Sequence, residues 1–544
     1  MSLLFYRNNS SKYDKIPRKV LTPGSPAVYQ LKPKKEKIGT LTRMTLGEKN
    51  PNKKNKTILL VGETGAGKST LINALVNYAM GVEWEDDVWF QIVEEKKRSQ
   101  SESQTSDVIV YQIFGFEDKT LPYSLTIIDT PGYGSTGGIE HDMNIMERLF
   151  DLFQSEDGVH EINAVGLVMK GSDNRLNDRL RYIFDSVISL FGKDIEKNIV
   201  ALITHSDGVA AENVLEALDA TNIKCAKDED AEPVHFMFNN RQKTLKTKKN
   251  NAALNSAWVL TIDQIRLFTN FLNTNSPQNL ITTVEVLHSQ IRLTACINNL
   301  QERIKLIDLK QTEIQQTQDG LKNNEKFTVE VDEPYRVKQK VDREWRWWAL
   351  GLNYGGAVCC TVCKENCHYP CTLAWYPEHC VIMNDGCCTV CTGKCPASVH
   401  VKEEQCIDCE GICSDESSHV KHPWIYVTKT RKVQKTTQDV KEKAGSTLKT
   451  LKKIMEELQQ DKDQWLEESF QHVVNLEEMA LNVNSLSIHD HLAFLIEKMK
   501  EKGDTGKVQR LKEILSKIAK SKGFKALVRY GFNKLAAAVE TVMN

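Results

Sequence analysis

Between residues 57 and 274, short apolar runs alternate with stretches in which apolar side chains recur every three to four positions. The runs at 57–61, 108–113, 125–128, 164–169, 199–203 and 234–238 read as strands, and 69–79, 142–153, 179–191 and 262–272 read as surface helices. Strand and helix in regular alternation predict an α/β domain built on a mostly parallel, doubly wound sheet, here spanning 57–275.

The pattern differs on either side. Residues 1–56 hold five of the fourteen prolines (Pro17, Pro23, Pro26, Pro33, Pro51) and a lysine cluster at 32–37, and read as a basic, mostly extended leader with one short strand near 38–46. After Pro277 a period of seven sets in, with Val286, Leu293, Leu300, Ile307, Ile314 and Leu321 in line and Ile297 and Ile304 as companions, before Gln311 and Gln318 interrupt it. Such a seam suits helix pairing or one long helix packed on its own domain, and its polar end favours a short or weak partnership. The expected order is therefore a helical stalk or coiled coil at 276–325, a linker at 326–345, a Cys-rich module at 346–422 and a C-terminal helical region at 423–544. Helix formers dominate that last region from about residue 430, with breaks near 482–487 and 503–506.

A chain of 544 residues predicts three to five units at roughly 100–200 residues each. With 40% hydrophobic and 26% charged residues it reads as an ordinary soluble protein, not a collagenous, disordered or polytopic membrane chain. The net charge of -1 speaks against a dedicated nucleic-acid binder, yet it hides an asymmetry. Residues 1–56 carry fourteen basic and three acidic side chains, net +11; residues 500–544 carry eleven and four, net +7; the body is left near -19. The basic stretch 524–543 reads either as a solvated charged face or as a helix that touches anionic membrane from one side. No apolar run has secretory length and no window reaches the ~18 apolar residues of a spanning helix, so a cytoplasmic protein is expected.

The strongest chemical signal is Val61-Gly62-Glu63-Thr64-Gly65-Ala66-Gly67-Lys68-Ser69-Thr70, after a predicted strand and opening a predicted helix. This is the P-loop in its required context. Glycines let successive backbone N–H groups turn toward phosphate oxygens at a helix N-terminus; Lys68 is placed to reach the β and γ phosphates, and Ser69 to offer its hydroxyl to Mg2+. The strand at 125–128 ends in Asp129-Thr130-Pro131-Gly132, which sets a carboxylate beside the metal and the Gly132 N–H where it can sense a γ phosphate. The strand at 199–203 runs into Thr204-His205-Ser206-Asp207, whose aspartate can accept both hydrogen bonds of a guanine edge; adenine offers no such donor pair, which favours GTP over ATP. Phe238-Asn239-Asn240 ends the last strand, and Asn239 reads either as a reader of the guanine oxygen or as a simple turn.

These motifs, in this order, resemble the translation-factor-related P-loop GTPases and, among them, the septin and immune-associated (GIMAP) branch. Gly81-Val82-Glu83-Trp84, Ser103-Gln104-Thr105-Ser106 and Phe191-Gly192-Lys193-Asp194 further resemble a large vertebrate family in which a G domain precedes a helical stalk and a Cys-rich module. The resemblance implies a switch GTPase that self-associates through its G domain, a homodimer or oligomer. It also implies that Thr105, with Ser103 and Ser106 as rivals, is the threonine that closes over Mg2+. Tyr133 stands where Ras-like enzymes carry a water-orienting glutamine. Three readings of turnover stay open: slow hydrolysis using Lys68, Thr105 and Gly132, hydrolysis completed by a partner subunit, and none. His205 reads either as a contact to a neighbouring subunit's nucleotide or as a surface residue.

Thirteen of the fifteen cysteines lie between Cys359 and Cys413. Cys-Cys-Thr-Val-Cys-x-x-x-Cys occurs at Cys359, Cys360, Cys363 and Cys367 and again, 28 residues on, at Cys387, Cys388, Cys391 and Cys395; Cys406, Cys409 and Cys413 form a third copy without the doublet. Cys371, His368, His379, His400, His419 and His422 are further candidate ligands. In a cytosolic chain, Cys-x-x-Cys knuckles read first as closed structural Zn2+ sites, with disulfides or an iron-sulfur cluster as alternatives. The expected ligands are Cys360, Cys363, Cys367, Cys371, Cys388, Cys391, Cys395, His400, Cys406, Cys409 and Cys413, and the expected role is to fold a small module that recognises a protein partner. Cys225 and Cys296 read as buried small apolar residues.

Overall fold

The computed structural model describes residues 12–38, 41–94, 108–117, 119–132, 138–171, 178–209, 214–216, 218, 223–323, 328–340, 356–369, 371, 376–406, 421–483 and 486–520. The described residues fall into two compact units, one within Met1–Leu287, Met479–Leu486 and Ser516–Ala537, the other within His288–Glu478, Ser487–Leu515 and Ala538–Asn544.

The first unit is built on an eight-stranded sheet. In spatial order its strands are His235–Met237, Ile199–Thr204, Ala164–Lys170, Asn55–Gly62, Ser124–Asp129, Ile109–Ile113, Leu41–Leu46 and Lys34–Ile38. The first five run parallel; Ile109–Ile113 is antiparallel to Ser124–Asp129, and Lys34–Ile38 to Leu41–Leu46. Ile58, Leu59, Leu60 and Val61 are all 0% exposed, as a central strand covered on both faces requires. The six strands and four helices expected between 57 and 274 all form, the helices as Lys68–Ala79, Gly138–Gln154, Asp178–Ile188 and Asn251–Thr274.

The N-terminal stretch departs from the expected extended leader with one strand. It forms four strands, Arg18–Thr22, Ala27–Leu31, Lys34–Ile38 and Leu41–Leu46. Leu41–Leu46 joins the main sheet parallel to Ile109–Ile113, while Ala27–Leu31 pairs with Arg18–Thr22 and with Val88–Gln91 in a second sheet. Pro17 directly precedes the first of these strands and Pro23, Pro26 and Pro33 sit between them, where their missing N–H costs no ladder bond. The helix Lys68–Ala79 holds Val88–Gln91 and the residues after it by two buried amides one turn apart. Asn77 Oδ1 accepts from Phe90 N at 2.9 Å and Asn77 Nδ2 donates to Phe90 O at 2.7 Å; Asn73 Oδ1 accepts from Ile92 N at 2.8 Å.

A single helix, Ile281–Asn323, carries the chain from one unit into the other. Its seam positions Val286, Leu293, Ile297, Leu300 and Ile307 are buried by the chain itself, so over that length the packed-helix reading describes it. In the second unit, residues expected to be a linker form the strand Thr328–Lys340, paired antiparallel along its whole length with Lys421–Thr436. These two open a five-stranded sheet that continues through His400–Cys406, Ala357–Cys360 and Glu365–His368. The C-terminal helices are Thr437–Met479, Leu486–Lys502 and Thr505–Lys520; Gly503 sits at φ 80°, a left-handed turn that glycine adopts without penalty. No described helix is long and apolar enough to cross a membrane. The basic stretch 524–543 lies outside the described residues.

Candidate nucleotide site and candidate metal centre

In the first unit the central strand ends at Gly62 and the helix starts at Lys68, so the loop between them lies at the carboxyl edge of the parallel strands, where open α/β sheets bind ligands. Gly65 and Gly67 adopt φ of 81° and 97°. A Cβ on Gly62 would stand 2.3 Å from Val168 O, so only glycine lets the loop pass its neighbouring strand. Glu63, Thr64, Ser69 and Thr70 are half-buried along this loop and Ala66 is buried. Lys68 Nζ donates to Gly62 O at 2.7 Å and Glu63 O at 3.1 Å. Burial pushes its ammonium down to about 8, with Asp129 and Glu63 opposing.

Asp129 is 0% exposed at the end of its strand, in register with Leu60, and Thr130 Oγ1 donates to Leu60 O at 2.9 Å. Gly132 is pressed on the loop: a Cβ there would be 2.2 Å from Thr64 Oγ1. The expected phosphate and metal residues Lys68, Ser69, Asp129 and Gly132 thus converge on one loop. Thr105, Ser103, Ser106 and Tyr133 lie outside the described residues.

Thr204 ties the loop to the segment expected to read the base. Its Oγ1 lies 2.6 Å from Ala66 O and 3.2 Å from Met169 O. His205 follows at φ 54°, exposed, and Asp207 is exposed with Oδ1 accepting from Val209 N at 3.0 Å. Asn239 N donates to Thr261 Oγ1 at 3.1 Å, which leaves its side chain, not its N–H, free for other work. The next residue went unassigned in the sequence: Nδ2 and Oδ1 of Asn240 are both buried without a partner among the described residues. Lys170 was missed too. It ends the strand beside the loop, and its Nζ is the one described atom within 4.0 Å of a Cβ built on Gly65. A strand-end asparagine or lysine carries no local signature, so neither stood out.

Residues 56–261 match the AIG1 family model. They form an AIG1-family P-loop GTPase domain. A curated relative, "Cell division control protein 3" of Candida albicans, is 30% identical over 169 residues, 29% of this chain. The chain spans 38% of that relative's length. Among solved structures, Toc33 from Arabidopsis thaliana in complex with Mg2+ and GMPPNP is similar at 18% identity over 42% of this chain and 88% of its own, TM-score 0.29. The LeoA bacterial dynamin GTPase from ETEC is similar at 14% identity over 49% of this chain and 45% of its own, TM-score 0.25.

In the second unit the eleven cysteines whose side chains are described form no disulfide. Three groups bring ligand atoms within 4.8 Å of one another: Cys360, Cys363, Cys391 and Cys395; Cys367, Cys388, Cys391 and His400; His368, Cys371 and Cys380. Cys363 and Cys395 sulfurs are 3.6 Å apart, Cys371 and Cys380 sulfurs 3.8 Å, and His368 Nδ1 is 3.2 Å from Cys380 Sγ. A disulfide would hold its sulfurs at about 2.05 Å, whereas two thiolates on one tetrahedral Zn2+, with Zn–S of about 2.3 Å, stand about 3.8 Å apart. Cys388 is pulled down to about 3, first by hydrogen bonds from Cys367 and Cys391. Cys380 was not among the expected ligands. Cys359 instead packs with Ala357 and Tyr426, and Cys387 and His379 are exposed. Cys409, Cys413, His419 and the side chains of Cys406 and His422 lie outside the described residues. Cys225 and Cys296 are buried, and burial pushes the Cys296 thiol up to about 12.

Proposed function

We propose that this chain binds GTP with Mg2+ and hydrolyses it slowly or upon dimerisation, as a nucleotide-gated assembly switch. The observation that carries the reading is the convergence of Lys68, Asp129 and Gly132 on one glycine-lined loop that Thr204 joins to the segment expected to read the base. In it, Lys68 exchanges two backbone carbonyls for phosphate oxygens and holds the charge between the β and γ positions. Asp207 accepts from the guanine edge, and the unpartnered Asn240 amide, rather than Asn239, meets the guanine oxygen. Mg2+, held by Ser69, Asp129 and Thr105, would neutralise phosphate charge when bound. Gly132 senses the γ phosphate through its N–H, and because it abuts Thr64 its movement is coupled to the loop. That coupling gates a dimer through the G domain, in a cytoplasmic protein whose basic ends leave room for a peripheral anionic membrane contact.

A second reading has GTP as a structural ligand, with the Cys-rich module holding Zn2+ and recognising a protein partner. The three ligand groups favour keeping it. Phosphate release from GTP and from ATP by the full chain, over a hundredfold range of protein concentration with Lys68→Ala as blank, separates the two. Turnover on GTP that rises with concentration and vanishes in Lys68→Ala supports the switch. Tight GTP binding without release at any concentration supports the scaffold, and equal turnover of GTP and ATP overturns the guanine assignment.

A further inference from the structure

We infer that the Cys-rich module holds a two-metal cluster in which the single thiolate of Cys391 bridges both ions. The inference rests on the metal reading of this module and is independent of the nucleotide reading. Two tetrahedral ions need eight ligand positions, and two of the groups described above supply seven side chains, with Cys391 common to both. Without sharing, one ion keeps four ligands and the other keeps three, either Cys360, Cys363 and Cys395 or Cys367, Cys388 and His400. No further Cys, His, Asp or Glu among the described residues joins either group.

The surroundings are built for thiolates. Backbone amides donate to the sulfurs: Cys363 N to Cys360 Sγ at 3.4 Å, Val390 N and Cys391 N to Cys388 Sγ at 3.3 Å each, and Cys395 N to Cys391 Sγ at 3.2 Å. Such donors favour the charged form of sulfur. His400 Nδ1 lies 2.9 Å from Pro396 O, which puts its proton there, and its Nε2 is buried with no partner among the described residues. A histidine fixed by one nitrogen and presenting the other is the arrangement of a metal ligand. Cys360, Cys367, Cys388, Cys391 and His400 are all buried, and a dry cluster of thiolates is tolerable only when cations compensate it. Soft sulfur with one imidazole in tetrahedral geometry selects Zn2+. The remaining group, His368, Cys371 and Cys380, is a separate mononuclear site.

Bridging makes the two ions one unit, so loss of Cys391 removes both. The test uses the full chain loaded with 113Cd in place of zinc. The expected spectrum has two resonances split by each other through the shared sulfur and one unsplit resonance from the separate site. Cys391→Ser is expected to lower metal content by two ions per chain and abolish the splitting, while Cys371→Ser lowers it by one and leaves the splitting intact. Bound metal with no splitting, or loss of one ion only from Cys391→Ser, overturns the bridge and leaves the zinc reading standing. A chain that purifies and refolds with no metal overturns both. Because the splitting is read on the unmodified chain, a misfolded Cys391→Ser does not remove the decision.

Discussion

Replacing Gly132 with alanine tests how tightly the turn after Asp129 bears on the phosphate loop. The new Cβ would lie 2.2 Å from Thr64 Oγ1, 2.6 Å from Thr64 N and 2.9 Å from Thr64 Cα. The hydroxyl can rotate away, but N and Cα belong to the loop backbone. Ordinary contact begins near 3.5 Å, so turn and loop must part by roughly 0.9 Å. Gly132 does not occupy the left-handed region, so the collision is the whole steric cost, about 1–3 kcal/mol for overpacking. In a domain of this size that lowers Tm by about 2–12 °C. The Gly132 N–H moves with the turn, and a hydrogen bond to a charged group contributes about 1.5–3 kcal/mol. GTP affinity should therefore fall about 10- to 150-fold, with GDP, which lacks the γ phosphate, affected less. Thermal melts with and without nucleotide, and fluorescence titrations with both nucleotides, read the two effects. An unchanged Tm together with an unchanged GTP-to-GDP affinity ratio would refute the reasoning.

Three further outcomes are expected. Lys68 has its ammonium depressed from 10.5 to about 8 by burial, so keeping it charged costs stability below about pH 8, and that cost fades as pH rises toward 10.5. Phosphates raise the value again, so nucleotide binding above pH 8 should take up a proton and weaken by up to about tenfold per pH unit; calorimetry in buffers of different ionisation enthalpy reads this, and an equal slope in Lys68→Met sinks it. Asn240→Ala removes two unpartnered buried atoms, so the apo protein should hold or gain stability while GTP affinity falls about tenfold or more; a loss of stability without loss of affinity would make Asn240 structural. Glu365, whose carboxylate meets Arg303, accepts from Thr392 N at 2.8 Å and is raised by burial, should give a loss of about 3 kcal/mol in denaturant unfolding when changed to Gln. That is the low end for a broken buried pair, because Asp461 remains 3.2 Å from Arg303; a loss below about 1 kcal/mol would contradict it.

The phosphate loop was legible in the chain because its chemistry is local: consecutive N–H groups, one lysine and one hydroxyl recur at fixed spacing after a strand. The same holds for the buried parallel strands, whose apolar runs announce themselves. Strands that depend on distant partners were not legible. Ala27–Leu31 acquires its place from Val88–Gln91, and Thr328–Lys340, with Pro334 and six charged residues, acquires its place from Lys421–Thr436. Cross-strand pairing of that separation leaves no period in either segment alone.

The cysteine region divides in the same way. Repeat spacing was enough to mark Cys360, Cys363, Cys388 and Cys391 as candidate ligands, since a knuckle is a local turn, and the fold does bring them into groups that could hold a metal ion. Which knuckle meets which was decided by folding: the sheet and its loops bring Cys395 to Cys363, His400 to Cys367 and Cys380 to His368, and they turn Cys359 away to pack on Tyr426. One-dimensional spacing determines the geometry within a turn, whereas sharing of Cys391 between two groups and the unpartnered amide of Asn240 are properties of distance through space, which only the packed chain sets.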